Sequence, residues 1–154
     1  MQTGDILLIH TKWCPISWLI RKLTKSNWNH CALVFYDKLL DFRGHKLEYN
    51  NFSKYKNKFW YRIKLIRLQE LTDKQKENLT YSALVVSYLE KQGYLRFLLT
   101  LFLLIINYKG KLPRNICSGC IVKIFELTGI HIYWKKYSRI TPEDLNKIGK
   151  EIYD

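Results

Sequence analysis

Near Thr72 the apolar residues of this chain change from alternating spacing to helical spacing, which splits the sequence into a strand-rich part and a helix-rich part. In the first part, Gly4-Asp5-Ile6-Leu7-Leu8-Ile9-His10 reads as a turn followed by a short buried strand. Cys31 to Phe35 and Lys38 to Phe42 are β-rich runs around Tyr36-Asp37, and they predict a hairpin. Lys46 to Tyr49 and Phe59 to Ile66 carry further strand signals. Between the first strand and the hairpin, Trp13, Trp18, Ile20, Leu23 and Trp28 lie among Arg21, Lys22 and Lys25. This predicts a short amphipathic helix from Ile16 to Leu23.

In the second part, Thr72 and Gln75 fit a capping box, and Leu79, Ala83, Val86 and Leu89 or Glu90 follow at helical spacing, with Gly93 as the stop. Another apolar helical pattern, Ile121, Ile124, Phe125 and Thr128, starts after Arg114-Asn115-Ile116 and is closed by Gly129 as a C′ residue. Thr141-Pro142-Glu143-Asp144 supplies the N-cap, the Pro at N1 and the acidic first turn of a terminal helix. Strands come first and helices after, with no repeat, low-complexity tract or linker. The pattern predicts a single α+β domain over residues 1–154, with a small antiparallel sheet packed against the helix that begins at Cys117.

Composition narrows the picture. A chain that is 47% hydrophobic and 15% aromatic is not disordered. At this length roughly 70% of the unfolded surface can be buried, so no staples are needed. Cys14, Cys31, Cys117 and Cys120 are too few for a disulfide scaffold. Met1-Gln2-Thr3-Gly4-Asp5 has no basic segment followed by an apolar run, so the expected setting is cytoplasmic and reducing. The net charge of +13 favours an anionic partner, either a membrane surface approached peripherally or an anionic polymer. Nucleic acid is not the expected partner, because none of its usual recognition motifs is present. The basic residues are scattered, with Lys54-Tyr55-Lys56-Asn57-Lys58 the densest run, and a solvated face is expected. Leu98 to Ile106, the most apolar run, is far shorter than the roughly 20 residues that cross a bilayer. It reads either as a buried segment beside the site or as a lipid-facing patch.

The candidate chemistry centres on Cys117, at the start of its helix. The positive end of a helix dipole and unpaired N–H groups favour thiolate over thiol there, and the thiolate is the reactive form. His30 is the lone histidine of a strand, and a Cys at a helix start with a His on a strand is what a thiol hydrolase needs. A two-residue hairpin turn at Tyr36-Asp37 or Asp37-Lys38 puts Asp41 and His45 on the face of His30. Asp41 is a diagonal neighbour in the first register, and His45 lies opposite in the second. Glu48 is expected on the other face. The expected set is Cys117 as nucleophile, His30 as base and then acid, and Asp41 as the group that orients the ring, with His45 as the alternative. Cys120, one turn deeper, and Cys31, on the opposite sheet face from His30, read as core thiols. Cys117-Ser118-Gly119-Cys120 also fits a redox C-x-x-C, but Pro142 opens a helix where a thioredoxin-like chain has a proline-led strand. Zinc would need a second close pair, and Cys14 and Cys31 are not one. No metal or cofactor is expected.

With these residues in place, the chain resembles the circularly permuted NlpC-type, papain-like cysteine hydrolases, which include YiiX-like proteins and relatives of lecithin–retinol acyltransferase. Gly4-Asp5-Ile6-Leu7-Leu8 is similar to the family's opening strand, and Asn29-His30-Cys31-Ala32-Leu33-Val34 to its histidine motif. Leu39-Leu40-Asp41 is similar to the strand bearing the third polar residue, Gly93-Tyr94 to an element after the middle helix, and Ile116-Cys117-Ser118-Gly119 to the nucleophile motif. Gly129-Ile130 through Ile140-Thr141-Pro142-Glu143-Asp144-Leu145 is similar to the closing segment. Departures are Asp where Glu or His is usual, Cys120, and the long apolar run before Cys117.

The resemblance implies acyl chemistry on an amide or ester, through an acyl-thioester on Cys117 with His30 as general base. The implied substrates are a peptide, a peptidoglycan-like stem or a lipid acyl group, taken by a monomer. A groove is expected between the Trp13–Trp28 segment and the apolar 94–107 segment. The alternatives are a lipid acyltransferase or thioesterase of the same fold, and a catalytically silent basic protein that binds an anionic polymer or membrane.

Overall fold

Alternation along the strands gives one sheet two apolar faces, and everything else is arranged to cover them. The computed structural model describes residues 1–43, 46–56, 58–89, 99–100, 102–103, 105–106, 116–132 and 139–153. In chain order the elements are β1 (Ile6–Thr11), α1 (Pro15–Thr24), β2 (His30–Phe35), β3 (Lys38–Arg43), β4 (Lys46–Asn51), a 3-10 turn (Phe52–Lys54), β5 (Tyr61–Arg67), α2 (Asp73–Leu89), α3 (Cys117–Leu127), α4 (Pro142–Ile148) and β6 (Lys150–Tyr153). The fold is mixed α+β: among the described residues, four α-helices of defined extent and one six-stranded sheet. The strand order is β4-β3-β2-β1-β5-β6, with every neighbouring pair antiparallel.

β1 lies inside the sheet and is buried on both sides, which is why Ile6-Leu7-Leu8-Ile9 reads as an unbroken apolar run. Ile6 and Leu8 share one face with Cys31, Leu33, Leu40 and Phe42, and this face packs against Leu79, Ala83 and Val86 of α2 and Ile121, Ile124 and Phe125 of α3. Leu7, Ile9, Ala32, Val34 and Leu39 make the other face, covered by Tyr55 from the segment after β4. The β2–β3 hairpin pairs Phe35 with Lys38, so its turn is Tyr36-Asp37. Tyr36 takes a positive φ of 52°, as the first central residue of a primed turn must.

The helix ends follow the sequence signals. Thr72 and Gln75 exchange capping hydrogen bonds at 3.0 and 3.3 Å. α3 closes on Gly129, at φ 84°, where Ile130 N–H donates to the Phe125 carbonyl at 2.9 Å and Gly129 N–H to the Glu126 carbonyl at 3.0 Å. That is a Schellman ending, and its positive φ is the reason for the glycine. Thr141 and Asp144 form a capping box ahead of Pro142. β6 has no counterpart among the elements read from sequence. Gly93, the expected stop of α2, lies outside the described residues, as does much of the 94–107 segment. Of that segment Leu99, Phe102, Ile105 and Ile106 are exposed and Thr100 is buried. Among the described residues, no helix is long and apolar enough to cross a membrane.

Candidate active site

His30 opens β2, and strand alternation turns it to the face of Ala32 and Asp41. With Ala32 opposite Asp41, the carboxylate sits diagonally from the ring, the geometry of the register that turns at Tyr36-Asp37. His30 Nε2 hydrogen-bonds Asp41 Oδ1. The second oxygen, Oδ2, accepts from Arg43 Nε at 2.9 Å, Asn50 Nδ2 at 3.0 Å and the Tyr55 hydroxyl at 2.5 Å. Arg43 also donates to the Tyr55 oxygen. Asp41 is completely buried, so these donors replace the water it gives up. Ahead of β2, Asn29 fixes the strand to the end of β1: its N–H donates to the Ile9 carbonyl at 3.1 Å, and its side-chain oxygen accepts from Thr11 N–H at 2.6 Å.

Cys117 comes from the other side of the sheet. It is the first residue of α3, which packs over β2 and β3 on the face of Cys31. Its thiol interacts with both the Cys31 thiol and the His30 ring. A strand end is where the two faces meet, so a residue at the helix tip reaches the first two residues of β2 together. Cys117 is partly exposed, whereas Cys31 and Cys120 are buried, and all four cysteines are free.

The electrostatics follow from these contacts. The Cys31 hydrogen bond is the largest influence on Cys117; with the His30 charge it overcomes burial and holds the thiol well below its ordinary range. Burial alone would push His30 down, but the Cys117 thiolate and Asp41 outweigh it and raise the ring to about 10. Burial likewise opposes ionisation of Asp41, and the hydrogen bond from His30 leads the contributions that keep it ionised below the usual carboxylate range. The site at neutral pH is therefore thiolate, imidazolium and carboxylate in a row. Because Nε2 is held by Asp41, Nδ1 is the nitrogen left to exchange a proton with sulfur.

The first turn of α3 adds backbone donors that lie ahead of the helical ladder. Ile116 has extended backbone and the turn carries no acidic residue. Cys120 N–H to the Ile116 carbonyl, at 3.0 Å, is the bond that begins the helical ladder, so the N–H groups of Cys117, Ser118 and Gly119 precede it. Ser118 anchors this end by donating to the Ile140 carbonyl ahead of α4.

Cys117, His30 and Asp41 thus meet, and His45 lies outside the described residues. Glu48 corrects one expectation: it is the direct cross-strand partner of Asp41, on the same face rather than the other, and it accepts from Asn50 at 3.3 Å and Lys54 at 3.4 Å. Sequence reading missed Arg43, Asn50, Tyr55 and the contact of Cys31 with Cys117. The parity that selected Asp41 also selects Arg43 and Asn50, but Tyr55 lies beyond the strand and left no such signal. Cys14 is N-cap of α1, partly exposed, and its pKa is lowered chiefly by a hydrogen bond with Ser17. Among the described residues, no three of His, Cys, Asp or Glu are grouped to hold a metal ion. Fold and site together define an α+β protein with a Cys–His–Asp constellation at a helix tip. No protein-family model and no curated protein matches the chain.

Proposed function

We propose that this protein is a cysteine hydrolase of amide or ester bonds, of the permuted NlpC-type papain-like kind its motifs resemble. The observation that carries the reading is the His30–Asp41 pair, with Asp41 buried, at the strand end covered by the tip of α3, where His30 helps to hold the Cys117 thiol low. Supporting it are the chain order, with the histidine strand before the cysteine helix, and the packing of that helix on the antiparallel sheet.

The chemistry starts from the ion pair. The Cys117 thiolate attacks the carbonyl carbon, and the displaced electron pair moves to oxygen. That oxyanion is met by N–H groups of the first turn of α3. When the tetrahedral species collapses, the C–N or C–O bond breaks, and the leaving group takes the Nδ1 proton of His30. Neutral His30 next removes a proton from water, and the hydroxide attacks the thioester. The C–S bond breaks, the acid leaves, and thiolate and imidazolium are restored. Asp41 holds the ring orientation and the imidazolium charge throughout. An alcohol or amine in place of water gives acyl transfer by the same steps.

An electrophilic thiol probe at neutral pH, read by peptide mapping, tests the assignment. Cys117 should be labelled fastest, and Cys117→Ala should abolish that label while Cys14 still reacts slowly. Dominant labelling of Cys14 or Cys120 in the native protein removes Cys117 as nucleophile. A panel of activated esters and peptide amides then reports turnover, which Cys117→Ala and His30→Ala should both eliminate.

A further inference from the structure

α1 lies at the surface with its apolar side only half covered. Ile16, Leu19, Ile20 and Leu23 share one face and Ser17, Arg21 and Thr24 another. Ser17 is the buried residue of this helix, Leu19, Ile20 and Leu23 are half-buried, and among the described residues no α1 side chain belongs to either core cluster. Arg21 donates to the Thr11 carbonyl at 2.9 Å, so part of the polar side is turned toward the body of the protein. Toward solvent, Ile16 is 57% exposed on one flank of the helix and Trp18 55% on the other, with Trp13, just ahead of the helix, at 77%.

The patch extends past the helix. Lys12 N–H donates to the Trp60 carbonyl at 2.8 Å, which brings the connection before β5 alongside, and there Phe59 is 69% and Trp60 57% exposed. Lysines accompany these rings: Lys12 Nζ lies 5.1 Å from the centre of Phe59, and Lys22 Nζ 5.0 Å from that of Trp18. The two stretches that build the patch, Ile6 to Tyr36 and Tyr49 to Gln69, contain no acidic residue.

We infer that α1 and the Phe59-Trp60 turn form a docking surface for an anionic phospholipid bilayer. A surface helix that presents Ile16 and Trp18 on the two flanks of its exposed side, beside exposed Trp13, Phe59 and Trp60 and with lysines among them, suits the interfacial plane. Indole rings are favoured at that depth, and lysine stems run along them to place ammonium groups at the phosphate level. Charge complementarity selects anionic over neutral lipid. A single-stranded nucleic acid is the weaker match. Ile16 offers a base nothing, and lysines lie over the faces of Trp18 and Phe59 on which a base would stack.

The test is co-sedimentation of the full chain with vesicles of phosphatidylcholine mixed with phosphatidylserine, against phosphatidylcholine alone. The protein should pellet with the mixed vesicles, its tryptophan emission should shift to shorter wavelength, and brominated acyl chains should quench it. Removing two inserted side chains in I16S/W18S should weaken partitioning by at least about tenfold, with Cys117 labelling unchanged as proof of the fold. Lys22→Glu should weaken binding to the mixed vesicles as well. If the double variant does not fold, quenching of the unaltered protein decides, and its absence overturns the inference. Binding that salt abolishes but I16S/W18S leaves untouched also overturns it, as does binding to a single-stranded RNA oligonucleotide with none to vesicles.

Discussion

Replacing Asp41 with Asn changes little volume but removes the negative charge that His30 leans on. A unit charge about 4 Å from the ring, in surroundings of effective dielectric about 20, is worth about 4 kcal/mol. At about 1.4 kcal/mol per unit of pKa this amounts to about 3 units. His30 keeps its proton to about 10 in the native site, so in Asp41→Asn it should lose it close to neutrality. The thiolate then loses its counter-charge above neutral pH, and Cys117 should titrate higher as well. Two measurements report this: an NMR titration of the His30 ring, and the alkylation rate of Cys117 against pH. The rate should stay level from mildly acidic to alkaline conditions in the native protein and rise through neutrality in the variant. If the ring of Asp41→Asn still titrates near 10, Asp41 is not what holds the imidazolium. The substitution also takes the charge from the partner of Arg43, which is partly exposed and so screened by solvent; folding is checked by circular dichroism first. Should the variant unfold, the native titration suffices: a ring that titrates near the ordinary histidine value refutes the electrostatic account without any substitution.

Cys31→Ala removes the largest contribution to the lowered Cys117 pKa. A hydrogen bond to a charged group is worth about 1.5–3 kcal/mol, so the alkylation midpoint should move up by about 1–2 pH units; an unchanged midpoint shows that Cys31 does not donate to the thiolate. Gly4→Ala should lower the melting temperature, because Gly4 sits at φ 96° and an added Cβ would lie 2.4 Å from Leu71 Cδ1. Forced overpacking costs about 1–3 kcal/mol, and a melting temperature equal to that of the native protein contradicts the packing described.

The parts of this fold that could be read from sequence are those governed by parity and by end chemistry. Alternation with a two-residue turn puts Asp41 and His45 on the face of His30, and the register that turns at Tyr36-Asp37 is the one that leaves Asp41 diagonal to the ring. Thr72, Gly129 and Thr141 mark helix ends because their side chains, or the lack of one, satisfy backbone groups locally. β6 is four residues long and joins β5 across a register shift, so it carries too few alternations to stand out. Cys31 was assigned to the core by alternation and does lie there, buried. Its contact with Cys117 depends on where the tip of α3 lands, and a tertiary distance of that kind has no local signature. The same holds for Tyr55, which closes over Asp41 from outside the strands, and for α1, whose periodicity predicts a helix without saying which side faces inward.

The interior position of β1 and the late arrival of α3 set an order of events during synthesis. As the polypeptide leaves the ribosome, β1 can pair with β2, and β2 with β3, while the sulfur-bearing helix is still untranslated. A nascent chain at that stage holds an imidazole and a carboxylate but no nucleophile above them. Any chemistry that needs the Cys117 thiol beside that pair therefore waits until most of the sheet has formed.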